Sequence, residues 1–194
     1  MPEMTEPALI ELLSWLDDAR ITTWLDGGWG VDALMHSQSR SHSDVDLIVQ
    51  VKDVPRLQTL LAGKGFTIKN DTSPYSFVLA NGAGFEVDIH AVTFDGAGNG
   101  IYSMENGQNW TYPAEGFSGQ GIVADRRVRC LSAAAQVLCH AEGYTPTVKD
   151  FQDMELLRQR FGVELPEHLQ AGSVEGLLAG NEMHFDMDNK IKID

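Results

Sequence analysis

Asp44 and Asp46 stand two residues apart at the start of DVDLIVQV. Along an extended chain that spacing sends both carboxylates from one face, with Cα atoms roughly 6.5 to 7 Å apart. Asp88 lies in FEVDIHAV, where alternation puts Glu86, Asp88 and His90 on one face and Val87 and Ile89 on the other. If the two segments are neighbouring strands of one sheet, three carboxylates converge. Hard oxygen ligands left partly open to water and to phosphates suit Mg²⁺, as one ion or two, and two ions ~3.5 to 4 Å apart clamp both the attacking and the leaving oxygen of a phosphoryl transfer. An isolated D-x-D is common on protein surfaces. Here it follows a Gly27-Gly28 pair, it is joined by a third carboxylate flanked by apolar residues that needs a reason to be partly buried, and Arg40 and His42 come just before it. Basic groups in that place can touch phosphates that the cation also holds.

The elements that must carry these side chains are legible in outline. Leu9, Ile10, Leu12, Leu13 and Leu16 recur at helical spacing and predict a helix over residues 7–20. Residues 22–25 read as a short strand, Gly27-Gly28 as a tight turn and residues 29–35 as a second helix. Residues 44–51 begin by alternating and become solidly apolar, as a strand does when both its faces are covered. Asp53 is placed to cap a helix through Leu61, and strands over 76–80 and 85–92 are joined by Asn81-Gly82. Residues 93–121 are rich in glycine and hold no sustained period, so a loop-rich excursion is expected. A last short strand follows at 126–130. Ser132 opens a helix to about Glu142, and Thr147 opens another that ends near Gly162. Residues 172–194 are mixed and give no assignment.

Composition narrows the classes. The chain has 194 residues, is 43% hydrophobic and carries a formal net charge of −14, from 14 Lys and Arg against 28 Asp and Glu. That is enough apolar material for one domain with a small appendage, and the charge repels long polyphosphate, so nucleic acid is not an expected partner. No apolar run approaches the ~20 residues that cross a bilayer, and MPEMTEPALIELL opens without a basic segment. The expectation is a cytoplasmic protein with no membrane partner. Cys130 and Cys139 are nine apart and on a helix would face opposite ways, so no disulfide is expected.

WLDGGWGVD at 24–32 and RSHSDVDL at 40–47 resemble the Gly-Gly and D-x-D signature of the DNA-polymerase-β-like nucleotidyltransferases. The resemblance is narrower still to the branch of small lincosamide nucleotidyltransferases and aminoglycoside 2″-nucleotidyltransferases. It continues through EVDIHAV at 86–92, DRRVRCLS at 125–132, HAEGY at 140–144 and KDFQDMELL at 149–157, and so covers residues 22–161. It implies an α+β fold, a mixed sheet with flanking helices over residues 1–130, followed by a small C-terminal helical unit over 131–171. It further implies Mg²⁺ at Asp44, Asp46 and Asp88, with Asp88 binding a second ion, accepting the proton of the attacking hydroxyl, or both.

Gly27 and Gly28 would let backbone amides approach a nucleoside triphosphate. Arg40, His42 and Lys149 are the candidate cations for the leaving pyrophosphate, Lys149 from the first turn of the last helix, and Tyr144 matches an aromatic near the nucleotide. Trp29 stacks on a base or sugar or else belongs to the core. Asp32 reads as a residue that orients a loop, and His90 as a second-row neighbour of Asp88 or a structural histidine. Tyr102 and Trp110, in the segment 93–117, would shape the acceptor pocket. The implied reaction moves a nucleoside monophosphate, AMP from ATP, to a hydroxyl of a lincosamide and releases pyrophosphate. An aminoglycoside acceptor and a catalytically idle binding module are the alternatives. A homodimer is a reasonable expectation from the helical appendage.

Overall fold

In a computed structural model the described residues are 3–72, 75–104, 107–142, 145–166 and 169. Tyr144 and the 172–194 stretch lie outside them. The helix α1 (Glu6–Asp18) starts at Thr5, whose side chain accepts from the Ala8 N–H, and it buries Leu9, Leu12, Leu13 and Leu16 along one stripe. The strand β1 (Thr23–Asp26) then leads directly into α2 (Gly27–Met35). The glycine pair therefore forms the first turn of a helix and not a separate tight turn, because Asp26 caps that helix by accepting from the Gly27 N–H.

The main sheet is built on β2 (Asp44–Gln50) and β5 (Glu86–Phe94), which pair in parallel. β1 lies antiparallel on the outer side of β2. On the far side of β5 come β4 (Ser76–Asn81) and the edge strand β3 (Phe66–Thr72), giving the order β1-β2-β5-β4-β3 among the described residues. Val45, Leu47 and Val49 of β2 and Val87, Ile89 and Ala91 of β5 are fully buried on one face. The carboxylates of both strands take the opposite face, so the apolar alternation holds the acidic one in register.

Several expectations are corrected. Asp53 supplies no side-chain cap to α3 (Val54–Gly63); a 3-10 turn over Val51–Asp53 precedes that helix, and the Asp53 carboxylate accepts from Arg56 at 3.3 Å instead. The β4–β5 connection is longer than a two-residue hairpin, with Asn81 Oδ1 accepting from both Ala83 and Phe85 N–H at 3.0 Å. The segment 93–121, expected as a loop, contains β6 (Gly100–Ser103), β7 (Asn109–Tyr112) and β8 (Gln120–Val123). β6 extends the sheet from the end of β5 and β7 pairs with β6, while β8 forms a separate two-stranded sheet with β9 (Arg126–Arg129). β3 has no counterpart among the expected strands. Among the described residues it pairs on one side only, and it carries a register shift between Ile68 and Asn70 and leaves Ile68 exposed, so its sequence lacks a buried stripe.

The chain divides into two compact units, Met1–Ser132 and Ala133–Asp194. Within the second, α4 (Ala133–Glu142) is followed by α5 (Val148–Phe161), which opens on a reciprocal Thr147–Asp150 cap and ends at Gly162 with φ of 68°. Both cysteines are free thiols. Among the described residues no helix is long and apolar enough to cross a membrane.

A methyl group at Gly63, the last residue of α3, would meet nothing within 4 Å. Gly63→Ala should therefore stabilise the protein by up to about 1 kcal/mol, because alanine loses less backbone entropy in a helix. Thermal unfolding would show this as a rise of roughly 2 to 4 °C.

Candidate active site

The parallel register of β2 and β5 puts Asp46 opposite Asp88, Asp44 opposite Glu86 and Ile48 opposite His90. The antiparallel register of β1 puts Asp26 opposite Asp46. Asp26, Asp46 and Asp88 thus form a row across three adjacent strands, spaced by the ~4.8 Å that separates neighbours in a sheet. The Asp26 carboxylate is spoken for, since it accepts from the Gly27 N–H at 2.8 Å. Asp46 and Asp88 are half-buried, and His90 Nε2 lies 3.9 Å from Oδ1 of each. One ligand atom from each of Asp46, Asp88 and His90 falls within 4.8 Å of the others, a spacing that can hold a metal ion. Asp44 stands just outside this set, exposed at the first position of β2. Glu86 beside it is paired with Lys69 of β3 at 2.5 Å.

Crowded carboxylates raise one another's proton affinity. Desolvation first, then the charges of Asp46 and Asp44, push Asp88 up to about 6, against the opposing pull of His90. Asp44 is raised by the same two causes, desolvation and then Asp46. For His90 burial is the largest single influence and disfavours the charge, but the nearby carboxylates of Asp46, Asp88 and Asp26 together outweigh it and lift the imidazole to about 9. In this state the imidazolium balances the negative charge that a divalent cation would otherwise meet. Among the described residues no hydrogen-bond donor reaches the buried Asp88 Oδ1.

The glycines serve the site in a way different from that expected. Gly27 has φ of +57°, and a Cβ there would lie 2.2 Å from Asp46 Oδ2. At Gly28 a Cβ would lie 2.4 Å from His42 Nδ1 and 2.7 Å from Arg40 Nη2. The missing side chains are thus occupied by Asp46 and by the Arg40–His42 pair. His42 is only 4% exposed. One ring nitrogen meets Asp32 Oδ2 at 2.5 Å and the other meets Arg40 Nη1 at 3.0 Å, so a direct contact with phosphate is corrected to an internal role. Trp29 is 2% exposed and packs on the His42 ring at 4.7 Å, which makes it a core residue and not a stacking surface for a base, sugar or acceptor. Asp32 does orient a loop, accepting from both the N–H and the hydroxyl of Ser39.

Tyr102 and Trp110 are brought to the carboxylate face. Tyr102 pairs with Val92, two residues beyond His90, and its ring meets the His90 ring edge-on at 5.5 Å. Trp110 is the cross-strand partner of Tyr102, so an aromatic row leads from the outer strand β7 to His90. Lys149 is exposed in the first turn of α5, in the second unit, and Tyr144 is outside the described residues. His90 stands closer to the centre than a second-row neighbour; its place two residues after Asp88, on the same strand face, is the signal for that.

The family model for aminoglycoside-2″-adenylyltransferases matches residues 8–157. The chain belongs to that family. It is accordingly an enzyme, a nucleotidyltransferase, and its mixed sheet with flanking helices is the polymerase-β-like fold of that class. Within the wider group it is 30% identical over 155 residues to a lincosamide resistance protein of Staphylococcus haemolyticus, a match covering 80% of this chain and 95% of that one. The crystal structure of a lincosamide antibiotic adenylyltransferase with lincomycin bound superposes with a TM-score of 0.72 at 28% identity, over 81% of this chain and 98% of that chain. An aminoglycoside 2″-nucleotidyltransferase in complex with adenylyl-2″-tobramycin gives 0.65 at 19% identity, over 89% and 92%, a likeness of fold.

Proposed function

We propose that this enzyme transfers AMP from ATP to a hydroxyl of a lincosamide and releases pyrophosphate, with Mg²⁺ held by Asp46 and Asp88 and approached by Asp44. The observation that carries the reading is the in-register pairing of Asp46 with Asp88 beside His90. The donor set fits a hard divalent cation: two carboxylates from separate strands and a buried Asp88 oxygen that no hydrogen-bond donor reaches among the described residues. When bound, such a cation supplies charge neutralisation on the nucleotide phosphates.

The chain's own groups account for the remaining steps. Arg40, fixed over the first turn of α2, supplies positive charge for the departing pyrophosphate; the family resemblance adds Lys149 as a second cation. Asp88 accepts the proton of the acceptor hydroxyl as its oxygen bonds to the α-phosphorus and the bond from that phosphorus to the pyrophosphate breaks. Tyr102 and Trp110 form the wall against which the acceptor packs. The lincosamide acceptor is supported by likeness to the lincosamide resistance protein and to the lincomycin-bound structure. An aminoglycoside is the second reading, favoured by the family model's description.

Mass spectrometry of lincomycin and of tobramycin, each incubated with the protein, Mg²⁺ and ATP or GTP, tests this. The expected result is a gain of one adenylyl group on lincomycin alone. Modification of tobramycin alone would move the assignment to the second reading, and no product with either would overturn transfer to these antibiotics.

Two further outcomes follow from the geometry. Trp110→Ala should raise KM for lincomycin about tenfold and leave KM for ATP unchanged, since burial of one aromatic face contributes of the order of 1 to 2 kcal/mol. Steady-state kinetics with each substrate varied in turn would show it. Asp88, pushed up to about 6, must lose its proton before it can ligate. Below that pH the proton competes, so cation affinity by calorimetric titration should fall about tenfold per pH unit; above it the His90 imidazolium still opposes the cation, so affinity should go on rising more gently until His90 loses its proton near 9.

A further inference from the structure

Arg40 lies in the connection between α2 and β2, yet the structure ties it to two buried side chains, His42 and Asp32. Asp32, on α2, is 2% exposed and His42 4% exposed. Arg40 can only donate hydrogen bonds, so His42 Nδ1 accepts from Nη1 at 3.0 Å. The His42 proton is thereby placed on Nε2, which donates to Asp32 Oδ2 at 2.5 Å. The second Asp32 oxygen accepts from the Ser39 N–H at 2.9 Å and the Ser39 hydroxyl at 2.6 Å. Trp29 packs against the imidazole. Gly28 completes the arrangement, because only a residue without a side chain leaves room for His42 and for Arg40 Nη2 over the first turn of α2. The adjacent glycine, Gly27, abuts the Asp46 carboxylate in the same way. A guanidinium is thus fixed at a helix N-terminus, one residue from the point where the carboxylate centre touches that helix.

We propose that Asp32 and His42 are positioning residues that hold the Arg40 guanidinium beside the Asp46–Asp88 centre to receive the β- and γ-phosphates of the nucleotide. This rests on the nucleotide-transfer reading above. The physical gain is pre-organisation: an arginine loses rotamer freedom when it is fixed, and here the fold fixes it before the ligand arrives. A lysine could not replace it, since it lacks the planar fork that meets His42 and a phosphate together.

The test is calorimetric binding of ATP and of AMP, with Mg²⁺, to the full chain and its variants, with thermal unfolding of each. Arg40→Ala should weaken ATP binding about 10- to 100-fold, the worth of one charge-assisted contact, and change AMP binding less than about twofold. Asp32→Asn should weaken ATP about tenfold alone, but less than about twofold further when Arg40→Ala is already present, because coupled residues are non-additive. Should Asp32→Asn fail to fold, His42 decides. His42→Gln keeps one acceptor and one donor at similar spacing and should stay within about threefold of wild type, whereas His42→Leu should match Arg40→Ala.

Equal losses for Asp32→Asn with and without Arg40, equal losses for ATP and AMP, or the same loss for Gln and Leu at position 42 would overturn the positioning role. ATP binding unchanged in Arg40→Ala would overturn it too, by removing Arg40 from the phosphates. A wild-type protein that binds no ATP would instead overturn the nucleotide reading itself.

Discussion

Asp88→Asn abolishes transfer, by about 10³-fold or more, while the protein remains folded with a melting temperature close to wild type. The size of the loss follows from two roles carried by one group. Asparagine keeps the shape of the side chain but removes the negative charge that draws a cation and the basic oxygen that takes the hydroxyl proton, and loss of either alone is worth roughly 10²-fold or more. The small effect on stability has an equally direct cause. Asp88 sits in a row with Asp46 and Asp26, and its proton affinity is raised to about 6, so at neutral pH the fold holds that charge against its preference. Removing it ends the desolvation of the charge and its repulsion by Asp46 and Asp44, which together outweigh the lost attraction of His90, so the fold loses no stability. Circular dichroism melting and product mass spectrometry on the same preparation check the pair of statements. Unimpaired transfer by this variant would refute the role of Asp88.

Gly27→Ala is expected to be nearly as damaging to catalysis, through geometry rather than charge. The backbone there has φ of +57°, a left-handed conformation that an L side chain adopts at a cost of about 1 to 2 kcal/mol. The new methyl would also lie 2.2 Å from Asp46 Oδ2, well inside contact distance, so the carboxylate must move. Misplacing a reacting or ligating group by ~1 Å lowers rate by ~10²-fold. We expect kcat to fall at least about 100-fold and the melting temperature to fall by roughly 3 to 8 °C, the size of a 1 to 2 kcal/mol loss in a chain of this length. Gly63→Ala is the control, since the same change in open space has the opposite sign. Wild-type kcat in Gly27→Ala would show that Asp46 does not depend on that close approach.

The carboxylates are legible in the amino-acid sequence because strand alternation is a strict code. Two residues apart means one face, and Val87 and Ile89 flanking Asp88 mark a buried strand. What alternation does not encode is which strands are neighbours in register, so that Asp46 rather than Asp44 stands opposite Asp88 is visible only in the β2–β5 pairing. Burial is what the sequence hides at the nucleotide side. Arg40, His42 and Trp29 look alike as residues that recognise a nucleotide, and nothing in their spacing says that the room left by Gly28 is filled by His42. β6 and β7 are hidden for a different reason. Each has four residues and lies off the main path of the sheet, so neither is long enough to show a period among so many glycines. The last helix, by contrast, is marked at both ends: Thr147 with Asp150 three residues on, and Gly162 at the stop.

The most direct measurement is the position of bound Mn²⁺, a scatterer that can stand in for Mg²⁺, located by anomalous diffraction in crystals grown with a non-hydrolysable ATP analogue. A peak ligated by both Asp46 and Asp88, with the triphosphate oxygens on its open side and Arg40 over the outer phosphates, is the predicted result. An ion that engages neither carboxylate, or a nucleotide bound away from this face of the sheet, would contradict the account.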